Sequence, residues 1–164
     1  MLNNIGVILI AISLVYSLSI NFLFFYKKHI NNYETKIFSI LVVTNLVGLI
    51  LELLCIASLR LIGSSNILTV MVNKVFLISI STFISLWAIY AIYVTMVDQN
   101  KKTNAEKLYQ NAKMIFACLY IIVILSIIFL PIEFYNQADG TYSFGASPNA
   151  VYLHSTLCAT ICSL

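Results

Sequence analysis

Charge is what this sequence has least of: 9% of its 164 residues are charged, against about a quarter in an ordinary soluble domain. Water cannot be the main solvent of such a chain. Proline is scarce, with two residues, and glycine occurs five times, so no flexible linker divides it and residues 1–164 are read as one domain. Internal repeats and low-complexity stretches are absent as well. No G-x-S-x-G, H-E-x-x-H, phosphate loop or dinucleotide fingerprint is present, so no catalytic residue and no cofactor are expected. His29 and His154 stand apart from each other and from any catalytic partner. Cys55, Cys118, Cys158 and Cys162 all lie in apolar runs. Cys158 and Cys162 share a helix face at i, i+4, but neither a C-x-x-C nor a histidine cluster accompanies them, so no metal site is expected. Buried thiols of this kind pack as small hydrophobes.

What the chain has is apolar length, with 61% hydrophobic residues. A bilayer core of about 30 Å takes roughly 20 apolar residues at 1.5 Å each. Four runs meet that length: 5–26, 37–59, 75–97 and 114–132. A fifth, from 150 to 164, has about 15 residues and falls short of a crossing. It is expected to continue in a longer parent chain, with any cytoplasmic output domain beyond residue 164.

Lysine and arginine in short loops are retained on the cytoplasmic side. Lys27, Lys28 and Lys36 fall in one connecting stretch, and Lys101, Lys102, Lys107 and Lys113 in another, so both are expected inside. The 60–74 stretch carries only Arg60 and Lys74, and the 133–149 stretch has no basic residue, so both are expected outside. Met1 to Asn4 lacks basic side chains, which places the N-terminus outside. A cleaved signal peptide would carry its positive charge before a shorter apolar core; here Lys27 and Lys28 follow the run, so the first helix is retained. The expected fold is an all-α membrane protein, a bundle of about five transmembrane helices in the cytoplasmic membrane.

One piece of β structure is expected. Asp139-Gly140 is a two-residue hairpin signal flanked by Phe134, Tyr135, Thr141, Tyr142 and Phe144. It predicts a small extracellular hairpin between helices 4 and 5. Pro131 and Glu133 end the fourth helix, and Pro148 suits a first helical turn. The 98–113 stretch reads as locally helical and soluble.

The residue most at odds with its surroundings is Glu52, about four residues outward of the middle of the second run. A charged acid at mid-helix costs roughly 2.5 to 3.5 kcal/mol, and such groups face the bundle interior. Asn45, Gly48, Glu52 and Cys55 recur at spacings of three and four and so share a face. Two readings stand: a ligand or proton site, or a neutral acid hydrogen-bonded to fix helix packing. Ser79, Thr82 and Ser85 on the third run are the expected partners at comparable depth. Glu133, Asp139 and Tyr142 are expected to form an acidic, aromatic lid over the outer end, suited to a cationic or amphipathic ligand. Ser13, Ser17 and Asn21 form a polar stripe suited to interhelical hydrogen bonds. Tyr93 reads as an interfacial anchor, whereas Trp87 sits too deep for one.

Three stretches resemble a known family. They are Tyr33-Glu34-Thr35-Lys36-Ile37-Phe38-Ser39 with Asn45-Leu46, Gly48-Leu49 and Glu52; Asn73-Lys74-Val75-Phe76-Leu77 leading to Trp87 and Tyr93; and 142–152, from Tyr142-Ser143-Phe144 through Pro148 to Tyr152. Together these resemble the membrane sensor regions that precede histidine kinase modules of quorum-sensing peptide receptors in Gram-positive-type bacteria, and sometimes diguanylate cyclase modules. The proline follows Ser147 here, where the family's Tyr-Gly-Pro-Ala segment has it directly after glycine. The resemblance implies a sensor or receptor input domain acting in a two-component system, with the parent protein a sensor histidine kinase. The expected partners are the lipid bilayer, an extracellular small-molecule or peptide ligand and a second copy of the chain, and not nucleic acid. Abundant lysine, isoleucine and asparagine beside a single arginine agree with a bacterial source. The alternative is a fragment of a small multi-pass transporter or channel, which would favour helices broken at the midplane and inverted repeats.

Overall fold

Long apolar runs in a chain poor in helix breakers can satisfy their backbone polar groups within one helix each, and the structure is built that way. The computed structural model describes residues 2–26, 33–98, 104–137 and 140–163. Five helices and one hairpin follow in order: α1 (Leu2–Tyr26), α2 (Tyr33–Leu61), α3 (Ile67–Asp98), α4 (Asn104–Phe129), β1 (Glu133–Gln137), β2 (Gly140–Phe144) and α5 (Ala146–Ser163). Among the described residues four helices are long and apolar enough to cross a membrane: Val7–Tyr26, Glu34–Leu61, Ile67–Thr95 and Tyr109–Phe129. α5, with 18 residues, is not one of those four.

Each expected apolar run is helical, and four of the five are long enough to span, but the helices run past the charges that seemed to bound them. The largest difference is α3, which begins at Ile67 rather than at 75. Lys74 therefore lies two turns inside a helix, and its Nζ donates to the Ile128 carbonyl at 2.7 Å. That carbonyl belongs to the last turn of α4, where a cation meets the negative end of the helix dipole. The actual start of α3 is set by Asn66, whose Oδ1 accepts from the Leu68 amide at 2.9 Å, an N-cap geometry. α2 stops because Gly63 takes a left-handed φ of 92°, while the amides of Ile62 and Gly63 both donate to the Ser58 carbonyl at 3.0 and 3.2 Å. The connection between α2 and α3 is consequently residues 62–66 alone. Helical structure over much of the lysine-rich stretch agrees with expectation, since α4 already begins at Asn104.

The hairpin is present, as expected, but Gly140, read as a turn residue, is paired. Antiparallel pairing runs from Glu133↔Phe144 through Tyr135↔Tyr142 to Gln137↔Gly140. Gly140 is thus the first paired residue of β2, and the two intervening positions, 138 and 139, lie outside the described residues.

α1 packs on α2, α2 on α3, α3 on α4, and α5 lies against both α3 and α4. The buried core sits in that three-helix corner, in two clusters: Leu77, Val123, Ile127 and Val151, then Ala88, Phe116 and Cys158. α5 is pinned at its start, where the Ser147 amide donates to the Pro131 carbonyl at 3.4 Å and its hydroxyl to the Ile127 carbonyl at 3.4 Å. Elsewhere the surface is apolar: Tyr16, Phe22 and Leu23 of α1 are 69%, 69% and 66% exposed. A face of that size is unstable in water and at home against acyl chains.

Candidate functional site: a polar cleft between the second and third helices

Two apolar helices in close contact leave a cleft only where small residues interrupt them. Gly48 supplies the gap on α2: a Cβ there would stand 3.5 Å from the Ser79 hydroxyl oxygen. Around it a cleft of about 290 Å³ is lined by Thr44, Asn45, Gly48, Leu49 and Glu52 of α2, and by Phe76, Ser79, Ile80 and Phe83 of α3. The face read from the spacing of Asn45, Gly48 and Glu52 is one wall of this cleft. Cys55, the fourth residue of that face, is buried beyond it, its thiol directed at the Val72 carbonyl at 3.6 Å.

Glu52 is half-buried and, among the described residues, its carboxyl group has no hydrogen-bond partner. Asn45 is partly committed, since its Nδ2 donates to the Ser17 hydroxyl of α1 at 3.3 Å. Asn21 completes that seam, donating to its own helix at Ser17 O, 2.8 Å, and across to Val42 O, 3.4 Å. The polar stripe of α1 therefore makes interhelical bonds through Ser17 and Asn21, both buried, while Ser13 is exposed.

Of the three expected partners of Glu52, the structure brings one to the cleft. Ser79 lines it; Thr82 and Ser85 do not. At 100° per residue, Thr82 lies about 60° and Ser85 about 120° around the helix from Ser79, away from the cleft centre. Thr82 faces α4. Its hydroxyl donates to Ile78 O at 2.8 Å and accepts from the Tyr120 hydroxyl at 2.8 Å. Ser85 faces α5, where it meets His154 Nε2 at 3.2 Å. Among the described residues no hydrogen bond joins Glu52 to any of the three, and its side chain lines the cleft.

Of the residues expected to form an outer lid, the described ones belong to the hairpin and not to the lining of the cleft. Glu133 opens β1, is exposed and is not part of the cleft. Tyr142 pairs with Tyr135 in the hairpin register, and Asp139 lies outside the described residues. β2 packs against α5, at the connection that ties α4 to α5. Tyr93 stacks edge-on against Tyr109 of α4 at 5.6 Å, and Trp87 is 48% exposed, facing away from the core.

One cluster escaped the reading of the sequence. His154 is 1% exposed, and besides Ser85 its Nε2 contacts the Cys158 thiol at 3.4 Å, while Nδ1 is buried with no hydrogen-bond partner among the described residues. A signal for it existed. Ser147, Val151, His154 and Cys158, all buried, recur at spacings of four, three and four, the mark of a helix seam. Read that way, His154 is an inward residue and the i, i+4 pair that matters is His154 with Cys158. Among the described residues no group of three or more His, Cys, Asp or Glu side chains is placed to hold a metal ion. Set beside known proteins, the chain matches no family model, no curated protein and no solved structure.

Proposed function

We propose that this chain is the membrane-embedded input domain of a bacterial signal-transduction protein, receiving an extracellular or intramembrane signal and passing it to a cytoplasmic output module of the histidine kinase kind. The observation that carries this reading is the cleft between α2 and α3, where Asn45, Glu52 and Ser79 converge, beside Thr44, among apolar side chains. An ionisable group at that position is costly to place and is retained where it binds or relays something. α1 to α4 are each continuous helices, which suits rigid elements that shift against one another better than the broken helices of many transporters. In the proposed orientation the N-terminus, the 62–66 connection and the hairpin lie outside, the two lysine-rich stretches lie inside, and α5 is a fifth membrane-embedded helix in the cytoplasmic membrane.

The switch in this reading is a change in the state of Glu52. An acid that is neutral at rest and ionised when water or a cation enters the cleft would alter the packing of α2 on α3. Glu52→Gln keeps shape and hydrogen bonding but cannot titrate. Fused to an output module, the Gln variant is expected to insert normally, to lose most of the signal response and to lose its pH dependence. A variant that responds with an unchanged pH profile would reduce Glu52 to a packing residue.

A further inference from the structure

A second pocket lies at the opposite end of the α2–α3 pair from Arg60, and it is built differently. Phe24 of α1, Glu34, Thr35 and Phe38 of α2, and Tyr90 of α3 line an open depression of about 250 Å³. Three of these residues are aromatic and their rings are tilted against one another: Phe24 and Phe38 have centroids 5.3 Å apart at 56°, and Phe38 and Tyr90 5.8 Å apart at 49°. Such tilted contacts pack the three rings into one aromatic cluster along the pocket. The Tyr90 hydroxyl donates to Glu34 Oε1 at 3.5 Å, which holds a carboxylate at the rim with capacity to accept from another group.

Ring faces carry negative electrostatic potential, and several converging faces attract a cation within about 6 Å, most effectively one whose charge is spread over alkyl groups and so weakly hydrated. A carboxylate beside them adds a Coulomb term of the same sign. From this juxtaposition we propose that the pocket among Phe24, Phe38, Tyr90 and Glu34 binds a methylated or otherwise alkyl-substituted ammonium group. The volume lies just below the roughly 300 to 1,000 Å³ of drug-sized sites and suits a headgroup-sized ligand. Lys36, the nearest described cation in sequence, is two residues from Glu34 and so on a different helix face; it is exposed. The site is separate from the Glu52 cleft and does not depend on the signalling role proposed above.

Two sources offer this chemistry, a lipid headgroup and a free solute, and one experiment separates them. The full chain is reconstituted in nanodiscs whose only lipid is phosphatidylglycerol, and choline is titrated by calorimetry beside its uncharged isostere 3,3-dimethylbutanol. In parallel, native mass spectrometry scores retention of added phosphatidylcholine. Saturable choline binding at least ten-fold tighter than that of the neutral isostere identifies a free-solute site. Selective retention of phosphatidylcholine without free choline binding identifies a headgroup site. Either effect should weaken about ten-fold in Phe38→Leu and in Glu34→Gln, and should persist in Tyr90→Phe, which keeps the ring. Glu34→Gln is isosteric at a helix end, so it keeps the test decisive if Phe38→Leu does not fold. Absence of both forms of binding, equal affinity for the neutral isostere, or undiminished binding in Glu34→Gln overturns the proposal.

Discussion

At the scale of single residues, apolar contact and polar contact contribute unequally. Phe116 is 1% exposed and touches the core between α3, α4 and α5. Truncation to alanine leaves a cavity, and Phe116→Ala is expected to cost about 3 to 5 kcal/mol. The Ser85–His154 pair is buried as well, yet intramembrane hydrogen bonds average about 0.6 kcal/mol with a maximum near 1.7. Ser85→Ala should therefore cost clearly less than Phe116→Ala, at most about 1.7 kcal/mol. Equilibrium unfolding in bicelles by steric trapping measures both. A Ser85→Ala loss as large as that of Phe116→Ala would mean that the polar cluster, not the aromatic core, holds α5 in place. His154 also shows why residue type alone misleads. Taken by itself it was an isolated histidine, and only the heptad-like recurrence of its neighbours marks it as an inward group.

At the scale of elements, the two left-handed glycines end or begin helices for different reasons, and their substitutions separate those reasons. Gly63, at φ 92°, has nothing within 4 Å of a Cβ, so Gly63→Ala meets only backbone strain, about 1 to 2 kcal/mol. Gly145, at φ 113°, would also bring its Cβ to 3.3 Å from the Pro131 carbonyl oxygen. That carbonyl accepts from Ser147 and fixes the start of α5. Gly145→Ala is expected to lower the thermal midpoint in detergent more than Gly63→Ala does; the reverse order would show that the α4–α5 connection yields easily. Lys74 gives a third element-scale test. Lys74→Met keeps the aliphatic stem and removes the donor to Ile128 O, which should destabilise the end of α4 by about 0.3 to 1 kcal/mol. Faster amide exchange confined to the last turn of α4 would report it, and exchange unchanged there would show that the contact contributes nothing. Charge was a misleading boundary marker for this element, because a lysine side chain long enough to reach a neighbouring helix end can sit well inside a helix.

At the scale of the whole molecule, the proposed orientation makes a direct prediction. With single cysteines placed in a cysteine-free background, Ser64 in the 62–66 connection should react with a membrane-impermeant thiol reagent in intact cells, and Thr103 in the lysine-rich stretch should react only after permeabilisation. The opposite labelling would invert the bundle. The apolar faces of α1 to α4, the order of the elements, the existence of the hairpin and the shared face of Asn45, Gly48 and Glu52 were all legible in the sequence, because length, hydrophobicity and periodicity are local properties. Which element each polar group meets was not legible. Thr82 turned to Tyr120 and Ser85 to His154 because rotation of α3 about its axis is decided by packing on α2, α4 and α5 at once. The pairing of Gly140 with Gln137 has the same origin, since register is a relation between two strands and not a property of either. The sequence by itself therefore determined that the chain forms long apolar helices and where its ionisable groups fall along them. Only the tertiary structure decided that Glu52 lines a cleft while His154 is enclosed, because depth along a helix follows from chain position, but azimuth becomes meaningful only when neighbouring helices are in place.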